Sequence, residues 1–282
     1  MRVVVLGNKD LAVRSLDVLV RHGADVVGAV LNPDDDGRVE DRWYQSLKRA
    51  AAARGIPAIQ PSTVSSDEGE SFIARLRPDL LLSLSYAKIV RPRILQLAGL
   101  LPVNIHFARL PWYRGCLPLV HAMCNGDASV GVTVHVMDAG IDTGDILAQM
   151  DVPLSDQDTA YSTYFKCVDA GEQLLDRALP LLFAGRLARA PQDLAAGSYH
   201  PQVYPNDRWS DPSHSPVRLS SFIRGLTFLS YPTARAMVKG QEHELRYQDG
   251  WFSAPTLHIG PTTIESLHEH LSFQDWRSVC LT

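Results

Sequence analysis

Residues 78–106 read PDLLLSLSYAKIVRPRILQLAGLLPVNIH. Leu80, Leu81, Leu82, Ser83 and Leu84 form a continuous apolar run, where a half-exposed strand would alternate; this is the pattern of a parallel strand buried on both faces. A loop of Ser85, Tyr86, Ala87, Lys88, Ile89 and Val90 follows. Arg91-Pro92 then opens a short helix, since the fixed φ of proline suits the first helical position and its missing N–H is not needed there. Residues 101–106 supply the next strand. Strand, crossover, strand is the unit of a parallel α/β sheet.

The chain before this segment repeats the pattern. A strand over 3–6 runs into the turn Gly7-Asn8-Lys9-Asp10, and Leu11, Ala12, Leu16, Leu19 and Val20 then recur at helical spacing. Residues 24–31 read as a second strand, 32–42 as an acidic loop, 43–54 as a helix ended by Gly55-Ile56-Pro57, Ala58-Ile59 as a short strand and 66–76 as a further helix. The expected fold class is therefore α/β: a doubly wound, mostly parallel, Rossmann-like sheet with its ligand crevice at the carboxyl ends of the strands. After it, 130–137 and 146–152 read as strands. A long helix capped by Asp158 or Thr159 ends at Gly185. Residues 186–216, rich in Pro, Ser, Asp and Tyr, read as a linker, and 217–282 as a small mixed domain with helix at 220–229 and strands at 234–238, 243–247, 251–254 and 256–259. The expected division is thus a catalytic domain over 1–185, a linker over 186–216 and a C-terminal domain over 217–282.

Composition narrows the function. The 282 residues carry a formal charge of −4 and a pI near 6.2, which gives no basic field for nucleic acid. No apolar stretch has bilayer length, and the chain enters a strand directly after Met1-Arg2, so a cytoplasmic protein with no membrane partner is expected. Cys116, Cys124, Cys167 and Cys280 are scattered without metal-type spacing, which suits reduced thiols and no metal site. A homodimer stays open.

The chemistry-bearing residues cluster between 104 and 145. Asn104 and His106 lie two apart on a strand and so leave the same side of the sheet. Asp138-Ala139-Gly140-Ile141-Asp142-Thr143-Gly144-Asp145 follows another strand and holds two glycines and three carboxylates. An amide, an imidazole and a carboxylate could meet beside this loop, although each residue type also has an ordinary structural role. Elsewhere, the turn at Asn8 and Lys9 puts free amides and a cation at the same sheet edge, where an anion could sit. It lacks the GxGxxG spacing of a dinucleotide site.

The motifs Asn104-Ile105-His106, then Leu110-Pro111-Trp112-Tyr113-Arg114-Gly115, then GVTVHVMDAGIDTGDIL over 131–147 resemble, in order, the formyltransferases that use N10-formyltetrahydrofolate. That family includes methionyl-tRNA, glycinamide ribonucleotide and sugar N-formyltransferases, and the weaker resemblance runs from Met1 to about Gly185. The resemblance implies that Asn104, His106 and Asp142 match the catalytic triad. It also implies that Lys88, Ile89, Val90 and the loop Asp138, Ala139, Gly140, Ile141 line the pterin slot, with Arg109, Leu110 and Pro111 beside it. Substrate contacts are expected from Asn8, Lys9, Trp112, Tyr113 and Arg114. Such chemistry suits these groups: attack of a neutral amine on a formyl carbon makes an oxyanion and a cationic nitrogen, one to be stabilised and the other deprotonated. Asn104 and His106 can serve the oxyanion, and Asp142 can hold the imidazole; which group is the base stays open. No metal is needed.

The methionyl-tRNA enzymes usually carry HxSLLP after the histidine, where this chain has His106-Phe107-Ala108-Arg109-Leu110-Pro111; AxLP followed by Tyr113-Arg114-Gly115-Cys116 is closer to the sugar enzymes. Asp34-Asp35-Asp36 stands where the tRNA enzymes have a basic insertion, and the chain beyond Gly185 balances about nine basic against about nine acidic side chains. The expected acceptor is the primary amine of a nucleotide-linked amino sugar. The alternatives are hydroxyornithine or another amino-acid amine, methionyl-tRNA, or a non-catalytic binding protein; the missing glycine fingerprint speaks against a nucleotide-binding oxidoreductase.

Overall fold

The computed structural model describes residues 1–33, 44–211, 213–229, 231–238, 241–248, 251–254 and 257–258. The acidic run Asp34-Asp35-Asp36, Trp43 and Cys280 lie outside them, as do Thr256 and Ile259 at the edges of the last expected strand. In chain order the elements are β1 (Arg2–Gly7), α1 (Lys9–Arg21), β2 (Asp25–Leu31), α2 (Leu47–Ala53), β3 (Ala58–Ile59), α3 (Asp67–Leu76), β4 (Leu80–Leu84), α4 (Pro92–Leu95), β5 (Leu101–His106), β6 (Arg114–Gly115), α5 (Pro118–Cys124), β7 (Ser129–Val136), β8 (Ile146–Pro153) and α6 (Ala160–Phe183). They continue with β9 (Tyr199–His200), a 3-10 turn at Pro205–Arg208, α7 (Pro216–Gly225), β10 (Ala234–Val238), β11 (Gln241–Gln248), β12 (Trp251–Ala254) and β13 (Leu257–His258).

By compactness the chain divides into two units. The first comprises 1–114, 131–151 and 167–198, and the second 115–130, 152–166 and 199–282.

The first unit is built on a seven-stranded sheet of order β3-β2-β1-β4-β5-β7-β8. The β2–β3, β1–β2, β1–β4 and β4–β5 pairs are parallel, and β5–β7 is antiparallel. Strand order reverses between β1 and β4, the switch point where a doubly wound sheet opens its crevice. Val3, Val4, Val5 and Leu6 of β1 and Leu80, Leu81, Leu82 and Leu84 of β4 are wholly buried, because helices cover both faces of a parallel sheet. Gly7 ends β1 where any Cβ would lie 2.0 Å from the Leu84 carbonyl oxygen, so the two strand ends approach only through a glycine. Across one face, the 167–183 part of α6 lies on α1: Leu11 meets Gly171, and Arg14 bridges Asp169 and Glu172.

Boundaries moved where caps decide them. Ser46 accepts from Arg49 N, so α2 starts at Leu47 and not at 43. Ser215 accepts from Arg218 N with Pro216 at the first turn, so α7 precedes the expected 220–229. In the second unit, α5 was not anticipated; Gly225 of α7 lies so close to it that a Cβ would meet Cys124 Sγ at 2.7 Å. The same unit holds the four-stranded antiparallel sheet β10-β11-β12-β13. Arg224, 8% exposed, donates there to the Ser155 and Asp158 carbonyls. No described helix is long and apolar enough to cross a membrane.

Candidate active site

The site starts from strand register. In the antiparallel β5–β7 pair Asn104 stands opposite His135 and His106 opposite Thr133, so all four side chains share a face. Asn104 Nδ2 lies 3.1 Å from His135 Nε2 and 3.5 Å from Asp142 Oδ1. His106 Nδ1 is 3.7 Å from Asp142 Oδ2, and His135 Nε2 is 3.4 Å from Asp142 Oδ1. Asp142 is thus shared by an amide and two imidazoles, the rings standing perpendicular with centroids 6.4 Å apart.

The tautomers follow from the carbonyls each ring meets. A carbonyl oxygen only accepts. His106 Nε2, 2.9 Å from Tyr113 O, therefore carries its hydrogen, and neutral His106 turns a lone pair on Nδ1 toward Asp142. His135 Nδ1 likewise donates to Val136 O at 2.8 Å, which leaves Nε2 to accept from Asn104. That contact orients the Asn104 amide nitrogen inward. Its second hydrogen has only the 3.5 Å approach to Asp142, at the limit of a hydrogen bond, and so is free to turn to another acceptor. Burial holds His106 below the ordinary histidine value of 6.5, with nearby His135 adding to the lowering; the Asp142 carboxylate and the bond to Tyr113 O pull the other way. The neutral imidazole is the resting form.

The loops around this cluster are tied down. Thr133 Oγ donates to Ala108 O at 2.6 Å and accepts from Leu110 N and Gln149 Nε2, which fixes the chain leaving β5. Asp138 accepts from Gly140 N and Thr143 Oγ and closes the 138–143 turn. Asn32, at the end of β2, donates to Ser85 O and accepts from Ala87 N, and Ser65 bonds Ile89 O and Arg91 N, so the loop after β4 is held at both ends.

The other expected residues divide by exposure. Lys88, Asp138, Ala139 and Gly140 are exposed; Ile89 (68%) and Ile141 (40%) are apolar side chains left open, and Val90 packs on the core. Leu110 and Pro111 are buried and can offer a ligand only backbone and shape, while exposed Arg109 pairs with Asp151. Trp112 is 44% exposed, Tyr113 half-buried, and Arg114 Nε buried without a partner. Asn8 is wholly buried and caps α1 by accepting from Lys9 N; Lys9 Nζ lies 5.5 Å from the Tyr44 ring centroid. Among the described residues no His, Cys, Asp or Glu group is arranged to hold a metal.

Two residues of the site were missed in the sequence. His135 had a signal: Thr133 and His135 are polar positions alternating with Val130, Val132, Val134 and Val136, so they share a face. Gln192 had none; from within the expected linker it donates to Asp142 O at 3.0 Å and Gly144 O at 2.6 Å.

A doubly wound sheet whose carboxyl edge gathers an amide, two imidazoles and a carboxylate offers groups that can take up a proton and meet a developing negative charge. The formyl transferase family signature matches residues 1–179. A methionyl-tRNA formyltransferase of Geobacter sulfurreducens is 32% identical over 246 residues, covering 87% of this chain and 77% of that protein. Among solved structures, a sugar 3N-formyl transferase crystallised with dTDP and 5-N-formyl-THF is similar at TM-score 0.67 and 21% identity, over 89% of this chain and 92% of that one. An N-formyltransferase from Helicobacter canadensis in complex with folinic acid and dTDP-3-aminofucose is similar at TM-score 0.67 and 22% identity, over 89% and 93%. The chain belongs to the formyl transferase family, and its activity is transfer of a formyl group.

Proposed function

We propose that the chain moves the formyl group of N10-formyltetrahydrofolate to the primary amine of a nucleotide-linked amino sugar, with Asn104, His106 and Asp142 as its catalytic residues. The observation that carries this reading is the convergence of the three side chains, with His106 Nδ1 facing Asp142 at 3.7 Å. Neutral His106 has its free lone pair on that nitrogen, so a proton leaving the acceptor amine would form an imidazolium beside a carboxylate, a stabilising pair in a site this buried. Asn104 Nδ2 gives up its long contact to Asp142 and donates to the formyl oxygen as charge develops there. His135 keeps that amide turned the right way.

The donor would be held by the loops over 85–91 and 138–142. Ile89 and Ile141 present apolar surface suited to a flat heteroaromatic ring, and both loops are already fixed by Asn32, Ser65 and Asp138, so little order is lost on binding. Lys9 and Arg114 are the cations proposed for the acceptor's pyrophosphate. Support for a sugar comes from the Ala108-Arg109-Leu110-Pro111 and Tyr113-Arg114-Gly115-Cys116 motifs and from the balanced charge beyond Gly185. A second reading, methionyl-tRNA as acceptor, is favoured by the 32% identity to the Geobacter enzyme.

The test is a competition assay. Recombinant protein with formyl donor is offered a set of dTDP- and UDP-linked amino sugars, ornithine-type amines and methionyl-tRNA, and formylated products are identified by mass. Turnover of a sugar nucleotide supports the proposal; preferential formylation of methionyl-tRNA replaces it with the second reading.

A further inference from the structure

The segment leaving α6 touches both partners of His106. Ala190 and Ile146 exchange two backbone hydrogen bonds, at 2.8 and 2.9 Å, which pin the segment to the start of β8. Two residues on, the single amide nitrogen of Gln192 spans the carbonyls of Asp142 and Gly144. Further along, Gly197 lies against Pro111, where a Cβ would stand 2.2 Å from the carbonyl oxygen. Ser198 accepts from Tyr113 N at 2.8 Å and donates its own N–H to Pro111 O. One strap therefore braces Asp142, on the Nδ1 side of His106, and Tyr113, whose carbonyl takes the Nε2 hydrogen.

Both braced residues need bracing. Asp142 has φ +54° and Tyr113 φ +59°, left-handed conformations uncommon for a residue with a Cβ, which aspartate tolerates better than tyrosine and which both hold more firmly when their surroundings fix them. Asp138 closes the same loop from within, but through Gly140 N and Thr143 Oγ, so it leaves the Asp142 and Gly144 carbonyls to Gln192. Both hydrogens of the Gln192 amide are used, and their directions set which way the 142–144 peptides face. Its Oε1 is buried without a partner, so the side chain is oriented by its donors alone.

We propose that Gln192, acting through the 190–198 strap, is a positioning residue that holds Asp142 in register with His106. The proposal rests on the assignment of Asp142 to the reacting cluster, and its test separates the two. Gln192→Glu keeps the shape but at neutral pH sets a carboxylate against two carbonyl oxygens. A misplacement of this kind lowers kcat roughly ten- to a hundredfold while donor binding changes less. As pH falls, the new carboxyl group gains a proton and can donate once more, so the ratio of variant to wild-type kcat climbs severalfold between about pH 8 and 5.5, a recovery that lost packing would not show. Gln192→Met, uncharged and donor-free, shows the same loss without that recovery, and covers the case in which the Glu variant does not fold.

Hydrogen exchange of the 142–146 amides is measured alongside, together with the activity of Asp142→Asn. Faster exchange in the Gln192 variants with reduced kcat is the expected result. Unchanged exchange, or a kcat that is independent of pH relative to wild type and close to it, overturns the proposal. Faster exchange with an Asp142→Asn variant of full activity leaves the strap in place and overturns instead the catalytic role of Asp142.

Discussion

Two polar turns of the first unit are built on opposite plans. In the 138–145 loop after β7, Asp138, Asp142 and the 142 and 144 carbonyls all have partners, drawn from the loop itself, β5, β7 and the strap. In the turn after β1, Asn8 caps its own helix, yet Asn8 Nδ2 and Asp10 Oδ2 are buried with no partner. A buried unsatisfied group costs about 1–3 kcal/mol, so the first loop uses its polar groups to fix geometry and the second carries a cost for unused hydrogen-bonding capacity. Under the proposed function, preorganisation belongs where a proton moves, and spare capacity where a substrate is held through ground and transition state alike.

Substitutions on the two sides should therefore differ in kind. The largest effect is expected from His106→Ala: kcat falls by about a hundredfold or more while donor affinity, measured by equilibrium titration, stays near wild type. Unchanged turnover in the folded variant would remove His106 from the chemistry and collapse the contrast. Thr133→Val comes next. It strips a hydroxyl that serves Ala108 O, Leu110 N and Gln149, and should lower stability by about 1–3 kcal/mol in denaturant unfolding, with kcat reduced through the displaced 107–111 segment.

Acidification sharpens the same side. The folded-state pKa of His106 is lowered from 6.5, so the unfolded chain binds its proton more readily. The stability tied to this group is present above pH 6.5 and declines as pH falls through 6.5 toward the folded value. The acid limb of the kcat/KM profile, which reports the free enzyme, should accordingly lie below pH 6.5 and disappear in His106→Ala; a limb above 6.5 would mean that Asp142 outweighs burial. The smallest effect is expected on the other turn. Lys9→Ala should raise acceptor KM severalfold with less change in kcat, since its contact persists equally in both states. Equal KM for wild type and variant would remove Lys9 from the acceptor site.

Much of the sheet could be read locally. The apolar runs of 3–6 and 80–84 specify strands covered on both faces whatever lies far away, and the two-residue repeat places Asn104 and His106 on one side without reference to any partner. The glycines and aspartates of 138–145 announce a tight loop by their backbone preferences alone. These features follow from chain geometry and from the partition of side chains between water and core, which act over a few residues.

Tertiary structure decided the rest. His135 stands opposite Asn104 only because β7 pairs antiparallel with β5 in one register, and a shift by a single residue would have offered a valine instead. Asp142 reaches His106 through a left-handed backbone that its own residue type does not impose, and the group that holds it, Gln192, lies 50 residues away in a stretch that reads as a polar connection. Such contacts depend on where α6 delivers the chain after packing on α1, a long-range outcome for which composition and periodicity over a short window carry no signal.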